Sequence, residues 1–198
     1  MKRLIIILVT GIFCCNIVIA KELKTRFGFN INLPDNYVPV QDGNFDDLMD
    51  HYEGEEINID LINNLRTQTQ NVNVDFEYYF PVDLNPTLNN LNLVVQKGEN
   101  IVKAKKVGTS KLCPFYKTLY TNMFNREIGQ YHCKFLNGFA PKFKTVMYLN
   151  HDGAYPNTRM IQFIFQAPPG LTVFTALCQS KNCNVVQKQL IGIILSVK

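Results

Sequence analysis

Cysteine is the residue type here with the most chemistry on offer. Cys14 and Cys15 lie in an apolar N-terminal stretch, and Cys113, Cys133, Cys178 and Cys183 lie in the body of the chain. Thiols can hold a metal, act as nucleophiles or pair as disulfides. Zinc sites space their ligands more tightly than Cys113 and Cys133 allow. Thiol redox motifs place two residues between the cysteines, whereas Gln179, Ser180, Lys181 and Asn182 separate Cys178 from Cys183. His132 precedes Cys133, a possible base beside a nucleophile, but a disulfide at Cys133 removes that role. An even number of cysteines in an exported chain points to disulfides. Three pairings exist for four cysteines, and nearness in sequence favours Cys113–Cys133 and Cys178–Cys183. Loop closure would then contribute about 3 and about 2 kcal/mol, respectively.

The remaining candidates are thinner. The three histidines, His51, His132 and His151, form no metal-binding spacing. His151 and Asp152, followed by Gly153, read as the polar tip of a hairpin. Ser110, Ser180 and Ser196 sit in no nucleophile elbow, and no phosphate-binding glycine loop occurs. Asp46, Asp47, Asp50, Glu53, Glu55, Glu56 and Asp60 form an acidic run. It lacks the fixed offsets of a calcium loop and reads as a solvated helix face. No catalytic residue, metal site or cofactor is expected, no ligand-binding residue is singled out, and the chain is not expected to be an enzyme.

Lys2 and Arg3 precede an apolar run from Leu4 to Ala20, which is followed by Lys21 and Glu22. Val18 and Ala20 suit the two positions that signal cleavage reads, so residues 1–20 are expected to be a secretory signal and 21–198 one globular domain. No later apolar run is long enough to span a bilayer. Without Lys2 and Arg3 the chain carries 18 basic and 16 acidic residues, too balanced for nucleic acid as the main partner. The charge is uneven, however. Lys97, Lys103, Lys105, Lys106 and Lys111 face only Glu99 within 97–111, which suggests either a bipolar solvated surface or a docking face for an opposite charge.

The elements that must position these residues follow from hydrophobic period. Alternation predicts strands over Arg26–Leu33, Val72–Val82, Leu91–Val95, Gln130–Leu136, Thr145–Leu149, Arg159–Ala167 and Leu171–Cys178, with pairing resumed at Tyr37–Val40. Helices are predicted after Asp42 or Asn44, over Ile57–Thr67, and over Cys113–Asn125 with Pro114 in its first turn. A last helix, capped by Asn182 or Asn184, carries Val186, Leu190, Ile193, Ile194 and Val197 on one stripe, widened by Val185, Ile191 and Leu195. Meandering strands with helices between them define an α+β class, a central antiparallel sheet flanked by helices.

Three stretches carry a resemblance: Phe27 to Tyr37, with its Leu33-Pro34-Asp35-Asn36-Tyr37 turn; Leu91 to Val95; and Leu171 to Leu177 with the closing Ile194-Leu195-Ser196-Val197-Lys198. Together they resemble the PsbP-like superfamily. The resemblance implies an α/β/α sandwich and a binding or assembly role, since members are mostly non-enzymatic; none of the family's functional residues maps onto this chain. The expectation is an exported, non-catalytic binding or assembly protein of the bacterial envelope, periplasmic or secreted, whose partner is a protein or envelope component. The alternative is a carrier of a small apolar ligand, with a pocket lined from the aromatic-rich stretch Phe115 to Phe143.

Overall fold

The computed structural model describes residues 20–41, 45, 48, 76–97, 100–168 and 170–198. The expected signal segment (save Ala20), His51, the acidic run and the helices read within 42–67 (save Phe45 and Leu48) lie outside the described residues. In chain order the elements are β1 (Ala20–Lys24), β2 (Asn30–Pro34), β3 (Tyr37–Val40), β4 (Phe76–Pro81), β5 (Asn90–Lys97), α1 (Ile101–Val107), α2 (Thr109–Phe124), β6 (Tyr131–Leu136), β7 (Val146–Asp152), β8 (Thr158–Ala167), β9 (Gly170–Gln179) and α3 (Cys183–Ser196).

Seven strands form one antiparallel sheet in the order β3-β4-β5-β9-β8-β7-β6, and β1 pairs with β2 as a separate hairpin. The chain leaves the middle of the sheet at β5, crosses one face as α1 and α2, and re-enters at the far edge as β6. It then meanders back through β7 and β8 to place β9 beside β5. Gly170 turns β8 into β9 so close to the Gln96 carbonyl that a Cβ would collide with it. With α3 on one face and α1–α2 on the other, the molecule is the α+β sandwich its hydrophobic pattern implies.

The α3 face holds the main core. Period-two alternation sends Leu91, Leu93 and Val95 of β5, Ile161, Phe163 and Phe165 of β8, and Phe174 and Ala176 of β9 to one side. Val186, Leu190, Ile193, Ile194 and Val197 of α3 meet them. Each fully buried side chain of this size contributes about 1.5–3 kcal/mol by leaving water. Of the residues expected to widen this stripe, Ile191 packs partly buried against the core, whereas Val185 and Leu195 are exposed on the solvent side of the helix. Asn182 occupies the N-cap but makes no capping bond; its side-chain amide donates to Asn89 Oδ1 at 3.3 Å instead.

The β1–β2 hairpin closes this face. Ile31 and Leu33 are buried, and Asn32 N donates to Ser196 Oγ at 2.6 Å, which in turn donates to the Ile193 carbonyl at 2.7 Å. Asn30 and Lys198 exchange backbone hydrogen bonds, and the Lys198 ammonium pairs with Glu22 at 3.2 Å. Beneath the hairpin loop the fully buried Glu77 accepts from Arg26 N, from Gln41 Nε2 at 3.2 Å and from the Tyr79 hydroxyl at 2.5 Å. Burial, reinforced by this carboxylate, pushes the Tyr79 phenol well above its ordinary pKa.

Several elements differ from their sequence expectation. The first strand expected over Arg26–Leu33 begins only at Asn30, because Thr25 to Phe29 close a loop through Thr25 N and the Phe29 carbonyl at 2.9 Å. Helix α2 starts at Thr109, so Pro114 lies inside it rather than in its first turn. The bond forgone is the one to the Ser110 carbonyl. Helix α1 has no counterpart in the hydrophobic pattern, since Ile101 is its one buried residue. Strand β7 runs on through His151 and Asp152, which are therefore not a hairpin tip. The reversal comes later, over Gly153 to Asn157, where Asn157 adopts φ +57° and Gly153 N donates to the Thr158 carbonyl at 2.8 Å. The longer loop keeps His151 in phase with Met147 and Leu149, all facing α2.

Candidate functional site

On the opposite side of the sheet, α2 covers only part of the strands. Ile101, Tyr120, Ile128, Met147, Leu149 and Ile164 form a second core under α1 and α2. A third, of Val38, Val40, Phe45, Leu48, Tyr78 and Phe80, lies at the β3–β4 end. Between these two clusters runs an open groove of about 380 Å³. Its floor is Val94 of β5, Val173 and Thr175 of β9 and Gln162 and Ile164 of β8; its wall is α2.

That wall presents Tyr116, Leu119, Tyr120 and Met123, spaced to share one helix face. Leu119 is 39 % exposed and Met123 62 %, and Phe115, one turn earlier, is 60 %. Large apolar side chains in such a row, exposed beside an apolar floor, mark a surface that gains by being covered.

The floor is pinned by a short polar chain. The Tyr120 hydroxyl donates to Gln162 Oε1 at 2.5 Å, and Gln162 Nε2 donates to Thr175 Oγ1 at 3.1 Å. Burial raises the Tyr120 pKa far above that of a free phenol, so this hydroxyl stays a donor at any physiological pH. Behind Tyr120 lies His151, 0 % exposed, its ring centroid 4.3 Å from that of Tyr120 and flanked by Phe124 and Tyr131. His151 Nδ1 lies 2.7 Å from the Asp152 carbonyl. A carbonyl only accepts, so the proton of the neutral ring sits on Nδ1. Among the described residues, Nε2 is buried with no hydrogen-bond partner, as is Arg126 Nε. Burial holds the imidazole below its ordinary pKa, against the opposing pull of Asp152. Burial also lifts the Tyr131 phenol to about 12.

The four cysteines brace this architecture. Cys113 on α2 and Cys133 on edge strand β6 stand at disulfide-bonding distance with Cα atoms 5.7 Å apart, and Cys178 at the end of β9 does so with Cys183 at the start of α3, 5.2 Å apart. These are the pairs that nearness in sequence favours. The Tyr131 hydroxyl adds a bond to the Cys113 carbonyl at 2.9 Å. One link fastens the groove's wall to the sheet edge, and the other fastens α3 to its strand. His132 points to solvent on β6, while Ser180 Oγ donates to the Asn157 carbonyl and Ser196 Oγ joins α3 to the hairpin. Among the described residues no three His, Cys, Asp or Glu side chains gather as metal ligands, and no helix is long and apolar enough to cross a membrane.

Of the stretch Phe115 to Phe143 expected to line a pocket, Tyr116, Leu119, Tyr120 and Met123 wall the groove, whereas Phe139 and Phe143 pack in the main core; sequence reasoning missed Gln162, Thr175 and buried His151. The signal for the first two was present: polar residues at alternate positions of otherwise apolar strands.

An antiparallel seven-stranded sheet sandwiched between α3 and α1–α2, with the chain entering at β1–β2 and closing at α3, defines a PsbP-like α+β fold. In keeping with this, the chain is similar to the solution structure of cyanobacterial PsbP (CyanoP) from Synechocystis sp. PCC 6803, with a TM-score of 0.54 and 10 % identity over 93 % of this chain and 95 % of that one. No family model and no curated protein matches the sequence. A likeness at this identity is one of fold.

Proposed function

We propose that this chain is an exported, non-catalytic binding or assembly protein of the bacterial envelope, and that it engages a protein partner through the groove beside α2. One observation carries the reading: Leu119 and Met123 stand exposed along the rim of a largely apolar groove, with Phe115 exposed on the same helix. Export is supported by the basic, apolar and small-residue order of residues 2–20 and by two cysteine pairs at bonding distance, a state that oxidising compartments maintain. A binding role is in keeping with a PsbP-like scaffold.

The volume of the groove, about 380 Å³, is also within the range of small-ligand pockets, which favours the carrier as a second reading. The groove is open along its length, however, and Met123 projects at its rim. Adaptable side chains of this kind suit a polypeptide surface.

The test is capture from the native envelope with the wild-type chain and a Leu119→Ser/Met123→Ser variant. The wild type should retain a discrete protein that the variant loses, with both melting at the same temperature. Equal retention by both, or a small apolar molecule recovered from the wild type with no protein, would overturn the docking reading.

A further inference from the structure

We infer that the occupant of this groove is an acidic, amphipathic segment of the partner protein; the inference rests on the docking reading above and adds the chemistry of the partner. From Ile101 to Phe124, α1 and α2 contain Lys103, Lys105, Lys106, Lys111 and Lys117 and no Asp or Glu. Lys97 ends β5 directly after Gln96, which lines the groove. The first four helix lysines are exposed, and among the described residues no ion pair neutralises them. The nearest acidic groups after α2 are Glu127, exposed, and Asp152, whose carboxylate accepts from Gly129 N and Gln130 N. The groove is therefore walled by α2, which together with the preceding α1 carries positive charge alone. Complementarity calls for an occupant with apolar side chains along one face and carboxylates along the other.

The shape of the groove selects a polypeptide over a lipid surface. Anionic bilayers also attract lysine-flanked apolar helices, but they present a flat interface. Here Val94, Ile164 and Val173 lie on the sheet below the level of the α2 wall. Interleaved with them are Asn92, Gln96, Gln162 and Thr175. Gln162 and Thr175 already pair with each other and with Tyr120, but the Asn92 and Gln96 amides, desolvated against acyl chains, would go unpaired. A peptide can pair with them.

The experiment uses the isotope-labelled full chain, expressed with its own N-terminal segment so that the host processes it. It is titrated with a synthetic 18-residue peptide carrying Leu at helical i, i+3, i+4, i+7 spacing and Glu elsewhere. The same peptide with Lys for Glu, and vesicles of phosphatidylglycerol and phosphatidylcholine, serve as comparators. The acidic peptide should shift the backbone signals of Val94, Leu119, Ile164 and Val173, and the lysine peptide and vesicles should not. Binding should weaken at least about tenfold when salt rises from 0.05 to 0.5 M, as screening requires. A Lys103→Glu/Lys106→Glu/Lys111→Glu variant should lose it with an unchanged melting temperature.

Equal binding of both peptides would overturn the acidic assignment. So would vesicles shifting the same signals in place of the peptide. Photo-crosslinks from position 119 that stay within the chain and reach residues 49–75 would overturn it too. If no probe binds but the envelope partner is still captured in a Leu119-dependent way, this inference falls and the docking reading stands. Loss of that capture result is the failure of the docking reading itself.

Discussion

The two faces of the seven-stranded sheet are made by the same strands, and they are finished differently. Toward α3, β5, β8 and β9 send Leu93, Phe163 and Phe174, each at most 1 % exposed, and the helix seats Leu190 and Ile194 against them. Toward α2, the next residues along those strands are Asn92, Gln162 and Thr175. An alternation that is apolar on both sides would demand a helix over every strand. Here the second face is apolar at its ends and mixed in its middle, and α2 is set to one side of that middle. The sealed face holds the fold together, and on the mixed face no described element covers the middle strands.

The largest effect that tests this division is a cavity on the sealed face. Phe174 packs between Leu93 and Phe163 by its register in the sheet and stacks on Phe165 with centroids 6.1 Å apart. Phe174→Ala should cost about 3–5 kcal/mol, read as a fall in the denaturant midpoint. The groove variant Leu119→Ser/Met123→Ser should change the midpoint little, since surface positions generally stay within about 0.5 kcal/mol. Comparable losses from the two would break the comparison, because the groove would then be core.

Next in size are the two covalent links, one on each face. Cys113–Cys133 closes a loop of sequence separation 20 and Cys178–Cys183 one of 5. Chain entropy assigns about 3 kcal/mol to the first and about 2 to the second. The paired Cys113→Ala/Cys133→Ala variant should therefore be the less stable of the two double variants in chemical denaturation. It should also be the one that loses partner capture, because it frees the wall of the groove from β6. If the Cys178→Ala/Cys183→Ala variant lost capture instead, binding would reside on the α3 side.

Much of this division is visible in the sequence, and the remainder is hidden for physical reasons. The stripe from Val186 to Val197 and the alternation of Ile161, Phe163 and Phe165 are local patterns, and local periods determine which face of an element is buried. Helix α1 escapes because its stability does not come from an apolar stripe; Asn100 caps it, accepting from Val102 N at 2.7 Å, and a single Ile101 anchors it. The groove escapes because its floor joins β5, β9 and β8, residues some 70–80 positions apart brought together by register. His151 escapes because Asp152-Gly153 has the composition of a tight hairpin, whereas the chain turns through a longer loop.

His151 provides the smallest and most selective test, since it reports on the second face alone. Its ring is caged by Tyr120, Phe124 and Tyr131. The charges that act on it are Asp152, which favours the imidazolium, and Arg159, which opposes it, with burial outweighing both. The folded pKa thus lies below the unfolded value of about 6.5. Between these two values the unfolded chain binds more protons than the folded one, so stability rises with pH there. Read downward, the contribution is fully present above about pH 6.5 and is lost as pH falls toward the folded pKa. His151→Phe keeps a ring in the cage and removes both the titration and the unpartnered Nε2, so its stability should fall less than that of wild type between pH 7 and pH 5. Because Tyr120 both stacks on His151 and donates to Gln162 in the floor of the groove, the signals of Gln162 and Thr175 should move with this titration while those of Leu190 and Phe174 stay still. Equal movement on both sides of the sheet would mean that the two faces respond as one, and the division drawn between them would fail.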